Sequence, residues 1–129
     1  MKTGLSLTVF SEPLAICRLP EGSPAPVWMP AAGFKASLYT PGEVTLVCEQ
    51  KHVPAEVRKQ SGWRAIQVQG PLDFSQVGVL AALSWPLAEA GVSIFVLSTF
   101  DTDYVLVKET ALDTACQALQ AAGHTFLNR

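Results

Sequence analysis

The fold is decided by residues 92–108, which read VSIFVLSTFDTDYVLVK. The stretches 92–97 and 103–108 are rich in β-branched and aromatic residues, which are typical of strands. The polar residues 98–102 between them favour a turn. We therefore predict a β-hairpin with two nearly continuous apolar arms.

An amphipathic helix is predicted before this hairpin. Apolar side chains recur at a spacing of three to four along residues 77–88, and Gly91 can end the helix in the left-handed conformation. Asp73 or Ser75 can cap its start. Pro86 removes one backbone donor inside the pattern, so we expect a kink or a tight final turn there.

A second helix and two outer strands complete this half of the chain. Residues 111–122 have one apolar face and end at Gly123, which predicts the helix. Residues 65–69 alternate apolar and polar side chains, and residues 125–127 favour a last short strand. The predicted order is strand, helix, strand, strand, helix, strand, which is the split pattern of ferredoxin-like units.

The first half gives a weaker version of the same order. Residues 5–10 alternate as a strand, 14–18 follow a cap signal and predict a short helix, 34–49 predict a hairpin, and 54–60 predict at most two helical turns. We therefore expect an α+β fold of two ferredoxin-like units with antiparallel sheets. The expected boundaries are 1–62 for a degenerate N-terminal unit and 63–129 for a C-terminal unit. The alternative is one irregular α+β domain in which the first half extends the sheet of the second.

Composition excludes several classes of function. The 129 residues carry a net charge of −2 with scattered lysines and arginines, so nucleic acid is not an expected partner. The three cysteines are far apart in apolar surroundings, which favours buried thiols in a reducing compartment. The sequence has neither the apolar core of a signal peptide nor the roughly 20 apolar residues of a membrane span. We expect a cytoplasmic protein that does not contact a membrane.

The segment before the first helix is a candidate anion site. Residues 70–80 read GPLDFSQVGVL and place a turn, an acid and small residues at a helix start. Free backbone N–H groups and the positive end of the helix dipole can hold a carboxylate there, while Asp73 can pair with an ammonium group. The alternative is structural, with Asp73 or Ser75 as a plain cap and Gly78 as a close-packing position.

Three stretches of the sequence resemble the ACT domain family. They are residues 70–79, 87–95 and 98–107, the last reading STFDTDYVLV. The likeness is to small bacterial proteins with an aspartate-kinase-like ACT domain, which are related to the ACT modules of the animal cytosolic arginine sensor. It is strong from about residue 64 to 126, and residues 5–60 resemble the less regular ACT-like partner.

The resemblance implies tandem ferredoxin-like units with sheets that pair side by side, and small ligands held where the first-strand-to-helix loop of one unit faces a strand of another. The loop Ser11-Glu12-Pro13-Leu14 lacks the acid-and-glycine pattern, so a second equivalent site is not expected. Asp101 and Asp103 are candidates for a cationic ligand group, although both can also be plain turn residues. The implied ligand-binding residues are Asp73, Phe74, Ser75, Val77, Gly78, Phe95, Ser98, Thr99, Phe100, Asp101 and Asp103.

The sequence contains no pattern of residues that indicates catalysis. His52 and His124 lie in separate halves without an acidic or cysteine cluster at metal-ligand spacing. Nucleophile elbow, phosphate loop and dinucleotide fingerprint are all missing, so we expect no catalytic residue, metal or cofactor. The three tryptophans are interpreted as core or interface anchors.

Two functions remain in view. The first is a regulatory module that senses an amino acid, forms a homodimer and passes the effect to a partner protein. The second is a structural or interaction module that dimerises through its sheet or helices and binds no ligand.

Overall fold

The computed structural model describes residues 4–129. Residues 1–3, on which part of the signal-peptide interpretation rests, lie outside the described residues. The chain divides into two compact units. Glu12–Trp63 form the N-terminal unit, and the described residues up to Ser11 together with Arg64–Arg129 form the C-terminal unit. The change of unit at Trp63 is close to the boundary expected from sequence, but the first strand lies in the C-terminal unit.

The C-terminal unit has the predicted order of strands and helices. The hairpin, the two helices and the short last strand are confirmed, and only their ends differ from the prediction. The mixture of strands and helices also confirms the α+β class. The elements are β1 (Ser6–Val9), the end of β5 (Lys59–Val68), α1 (Val79–Glu89), β6 (Ile94–Ser98), β7 (Asp103–Lys108), α2 (Leu112–Ala121) and β8 (Thr125–Phe126).

Strand β1 lies between the first and last strands of the ferredoxin-like order. It is antiparallel to β5, with Leu7 opposite Val68, and parallel to β8, with Leu7 opposite Phe126. β7 pairs with both β5 and β6. Leu7 and Val9 are buried in one core with residues of the two helices. The alternating side chains of β1 therefore place one face of this strand against the core, between β5 and β8. The expectation of wholly antiparallel pairing is therefore wrong at β1 and β8.

Both helices of the C-terminal unit end as the sequence predicts. Gly91 and Gly123 have positive φ angles of 74° and 101°. After each glycine, the next N–H reaches back five residues, from Val92 to the Leu87 carbonyl at 2.9 Å and from His124 to the Leu119 carbonyl at 3.1 Å. These are Schellman ends, in which glycine avoids the steric cost of the left-handed conformation.

The N-terminal unit is a sheet whose described residues contain no α-helix. β2 (Leu14–Pro20) pairs with β4 (Glu43–Glu49) and with the start of β5, and β3 (Lys35–Thr40) pairs with β4. The predicted β3–β4 hairpin is confirmed, and Gly42 takes the positive φ of its turn. The two predicted short helices are wrong.

Tertiary pairing overrides the helix signals in this unit. Residues 14–18 join β2 because Ala15 and Cys17 alternate into a core with Val44 and Leu46, which a strand buries on one face. Residues 54–60 form one turn that closes from the Val57 N–H to the Pro54 carbonyl at 3.2 Å. β5 begins at Lys59. None of the helices in the described part of the chain is long and apolar enough to cross a membrane.

Candidate ligand-binding cleft

A cleft of about 200 Å³ lies in the C-terminal unit. One wall is the loop between β5 and α1, and the other is the β6–β7 turn. Its mouth is open to solvent. The lining residues are Leu72, Asp73, Phe74, Gln76, Val79, Ser98, Thr99, Phe100, Asp101, Thr102 and Asp103.

The β6–β7 turn is fixed by its own hydroxyl groups. The Thr99 N–H donates to the Thr102 carbonyl at 2.8 Å, and the Thr102 N–H donates back to Thr99 Oγ1 at 3.2 Å. Ser98 Oγ donates to Asp103 Oδ1 at 2.6 Å across the base of the turn. Thr102 Oγ1, which is buried, donates to the Val68 carbonyl at 2.6 Å and so connects the turn to the end of β5.

The opposite wall is held against this turn at its base. The Leu72 N–H donates to the Asp101 carbonyl at 2.7 Å. A side chain at Gly70 would place its Cβ 2.9 Å from the same carbonyl oxygen and 3.2 Å from Thr102 Cβ. Glycine is therefore required at this close approach of the two walls.

Residues 73–76 form a turn of their own instead of the start of α1. The Ser75 N–H and Ser75 Oγ both donate to Asp73 Oδ1, each at 2.9 Å, and the Gln76 N–H donates to the Asp73 carbonyl at 3.0 Å. The helix begins only at Val79, because Gly78 takes a left-handed φ of 88° before it. The two hydrogen bonds from Ser75 lower the pKa of Asp73, so this carboxyl group is ionised at neutral pH.

The first turn of α1 has no side-chain cap. The leading N–H groups of a helix have no partner within the helix, and they carry the positive end of its dipole. Val79, the first residue of α1, lines the cleft. The lining of the cleft therefore includes the first residue of α1 in addition to the three acidic residues Asp73, Asp101 and Asp103.

Two phenylalanine rings stand at the mouth of the cleft. Phe74 is 76% exposed and Phe100 is 80% exposed. Their ring centroids are 4.9 Å apart with an interplanar angle of 62°, an edge-to-face contact. The lining therefore combines two exposed apolar rings with carboxylates.

The structure brings together seven of the eleven residues that were expected from sequence: Asp73, Phe74, Ser98, Thr99, Phe100, Asp101 and Asp103. Four others do not line the cleft. Ser75 turns to Asp73, Val77 is 89% exposed, and Gly78 precedes the helix. Phe95 lies on β6 between Ile94 and Val96, which pack on the helix side of the sheet, so its side chain is on the other face.

Sequence reasoning missed four lining residues, namely Leu72, Gln76, Val79 and Thr102. The position of Thr102 inside a five-residue polar turn was a usable signal for a side chain that bonds backbone. Gln76 accepts the Asp73 N–H at 3.0 Å through Oε1, which the three-residue spacing of the two positions could have suggested.

The remaining reactive side chains are accounted for structurally. Cys17, Cys48 and Cys116 are buried free thiols, and burial raises the pKa of each, to about 11 for Cys17. Trp85 is 68% exposed, so its interpretation as a core residue is wrong; Leu87, two residues later, is buried in the core instead. The residues 4–129 contain no group of three metal-ligating side chains.

Comparisons with known proteins agree with this architecture. Residues 58–121 match the model of the ACT domain. The human cytosolic arginine sensor for mTORC1 subunit 1 is 32% identical over an 87-residue alignment, which covers 61% of this chain and 26% of the sensor. The chain thus spans about a quarter of the length of this curated relative.

Solved structures extend the likeness to the whole chain. A protein from Agrobacterium tumefaciens is 33% identical with a TM-score of 0.90, over 96% of this chain and 92% of that one. The aspartate kinase of Clostridium acetobutylicum shares the fold at 10% identity, with a TM-score of 0.67 over 90% of this chain and 34% of the kinase. Through residues 58–121, the chain belongs to the ACT domain family.

Proposed function

We propose that this chain is a non-catalytic regulatory module that binds an amino acid, or a similar small ligand, in the cleft of its C-terminal unit. The observation that carries the proposal is that one cleft combines groups that can hold an anion with groups that can hold a cation. The uncapped start of α1 offers N–H donors, and Asp73, Asp101 and Asp103 offer carboxylates. An amino acid has one group for each.

The carboxylate of such a ligand is placed at the start of α1. Backbone N–H groups and the helix dipole favour an anion at this end of a helix. Within residues 4–129, the lining contains three acidic residues and no lysine, arginine or histidine that could hold the carboxylate instead. The α1 start is therefore the part of the cleft that suits an anion.

The ammonium group is placed at the aspartates. Asp73 is ionised, and both hydrogen bonds from Ser75 are accepted by Oδ1 and not by Oδ2. Ser98 also occupies only one oxygen of Asp103. Hydrogen bonds between ionised partners are about twice as strong as neutral ones, so these aspartates give the ligand its orientation.

The size of the cleft suits a small molecule. Pockets for drug-sized ligands have volumes of about 300–1,000 Å³. At about 200 Å³, this cleft is smaller than that range. An amino acid with its side chain against Phe74 and Phe100 would bury part of both exposed rings.

The proposal includes assembly and location. A second copy that covers Phe74 and Phe100 would remove two large apolar side chains from water, which supports a homodimer. The two ACT-like units are proposed to be residues 1–62 and 63–129. A cytoplasmic location and a partner protein that reads the ligand state are suggested by the relative that is named a cytosolic arginine sensor.

A thermal-shift screen of the twenty amino acids tests this function. A ligand selective for the folded state adds about 2.7 kcal/mol at a hundredfold excess over its dissociation constant. We expect at least one amino acid to raise the melting temperature. Asp103→Asn should remove that shift, whereas Asp113→Asn should keep it, because Asp113 pairs with Arg129 on the surface, outside the cleft.

The second candidate function is an interaction module without a ligand. It is favoured by the exposed rings of Phe74 and Phe100, which a partner surface could cover as well as a ligand could. A flat amino-acid screen, together with a stable dimer whose association is lost in Phe100→Ser, would support this function and overturn the first.

A further inference from the structure

His124 is a buried histidine with a partner on each ring nitrogen. It is 5% exposed and directly follows Gly123, at the Schellman end of α2. The Leu5 N–H donates to Nδ1 at 3.1 Å. Nε2 lies 3.0 Å from the Ala82 carbonyl oxygen in α1. One side chain thus connects the chain before β1, the end of α2 and the first turn of α1.

The two partners define the tautomer. A backbone N–H only donates, so Nδ1 must accept and carry no proton. A carbonyl oxygen only accepts, so Nε2 must carry the proton and donate it to Ala82. The ring is therefore neutral with its proton on Nε2.

The Ala82 carbonyl lacks a helical partner because of Pro86. In an α-helix this carbonyl accepts from the N–H four residues later, which is position 86. Proline has no N–H, yet α1 continues through Pro86 to Glu89. The Nε2–H of His124 occupies the position of the missing donor.

We propose that His124 is a positioning residue that fixes the first turn of α1 beside the cleft, by supplying the hydrogen bond that Pro86 removes. The Ala82 N–H closes this turn on the Gly78 carbonyl at 2.9 Å, while the Ala82 carbonyl is held by His124. Val79, in the same turn, lines the cleft. The role in ligand binding rests on the proposed function, whereas the role in helix structure does not.

The tautomer is tested in the unmodified protein by nitrogen NMR of the histidine ring. We expect a protonated Nε2 and an unprotonated Nδ1, with Nε2–H coupled to the Ala82 carbonyl. A proton on Nδ1 would overturn the proposal, and this result does not depend on whether any variant folds.

Rescue by the helix backbone tests the positioning role. In His124→Phe, we expect amide exchange at Ala82 to accelerate about tenfold, the equivalent of one lost hydrogen bond. Adding Pro86→Ala restores the N–H at position 86, so exchange in the double variant should return close to the rate in Pro86→Ala alone.

Asn128→Ala is the matched control. It removes two hydrogen bonds between the C-terminal segment and Val9 but no contact with Ala82. The exchange rate at Ala82 should stay within about twofold of the unmodified protein, after correction for global stability. Equal acceleration in both single variants, or no recovery with Pro86→Ala, would contradict the proposal.

A binding experiment distinguishes this inference from the proposed function. With L-arginine or another amino acid that raises the melting temperature as probe, His124→Phe should weaken binding and Pro86→Ala should restore it. If no amino acid binds the unmodified protein, the proposed function fails while the exchange results still decide the role of His124. Binding that is unchanged in a folded His124→Phe would overturn the connection to the cleft.

Discussion

Replacing Thr102 by valine should loosen the wall of the cleft at a single buried hydrogen bond. Thr102 Oγ1 donates to the Val68 carbonyl at 2.6 Å, and the residue is 5% exposed. Valine has almost the same shape, so the change creates no cavity but leaves that carbonyl without its hydroxyl partner. Leaving a buried acceptor unpaired costs about 1–3 kcal/mol. We expect the free energy of unfolding to fall by that amount.

Equilibrium urea unfolding followed by circular dichroism measures this loss. Thr110→Val is the matched control. Thr110 is exposed in the same unit, so this substitution makes the same chemical change at the surface. Surface substitutions of this kind stay within about 0.5 kcal/mol of the unmodified protein. Thr102→Ser keeps the hydroxyl and should lose less stability than Thr102→Val. If Thr102→Val costs no more than Thr110→Val, the bond to Val68 does not hold the turn.

Three further perturbations address other parts of the chain. Asn128→Ala removes the bonds of the Asn128 side chain to the Val9 N–H at 3.1 Å and to the Val9 carbonyl at 2.7 Å. It should cost about 1–3 kcal/mol in urea unfolding, and a loss below the error of that measurement would contradict the pairing. Gly70→Ala should speed amide exchange at Leu72, because the added Cβ would lie 2.9 Å from the Asp101 carbonyl oxygen and push the loop away from it. Unchanged exchange at Leu72 would contradict this close approach of the two walls. The pKa of Cys17 is raised from 9.0 to about 11 by burial, so the unfolded chain loses this proton first and stability should fall between pH 9 and about 11. The same fall in Cys17→Ala would assign it to other groups.

The C-terminal unit was predictable because its local signals agree with its tertiary structure. Two apolar runs around a polar turn gave β6 and β7, and Gly91 and Gly123 marked helix ends that both proved to be Schellman motifs. Sequence patterns and packing require the same conformation at these positions. Such consistency is what makes a segment readable from sequence alone.

The N-terminal unit was less predictable because a local signal opposed the long-range pairing. Ser11, Glu12 and Pro13 form a plausible helix start, yet the following residues pair with β4 over the full length of β2. Pairing with a strand about thirty residues away has no signature in a local window. For the same reason the pairing of β1 was not predictable, since its neighbours β5 and β8 are distant in sequence.

The candidate site could be predicted where the type of side chain is informative by itself, as with the two nearby carboxylates of Asp101 and Asp103. It was less readable where backbone conformation decides. Gly78 looked like a small residue inside a helix, whereas its left-handed φ delays the helix to Val79 and frees residues 73–76 to form a separate turn. Asp73 consequently lines the cleft and does not cap α1.

The most direct test of the cleft is a nitrogen–proton NMR titration with each of the twenty amino acids in turn. We expect at least one to shift the backbone amides of residues 79–81, at the start of α1, together with those of residues 98–103. Amides of the N-terminal sheet around β3 should not move. Binding that shifts amides elsewhere, or no shift with any amino acid at millimolar concentration, would contradict the assignment of this cleft as an amino-acid site.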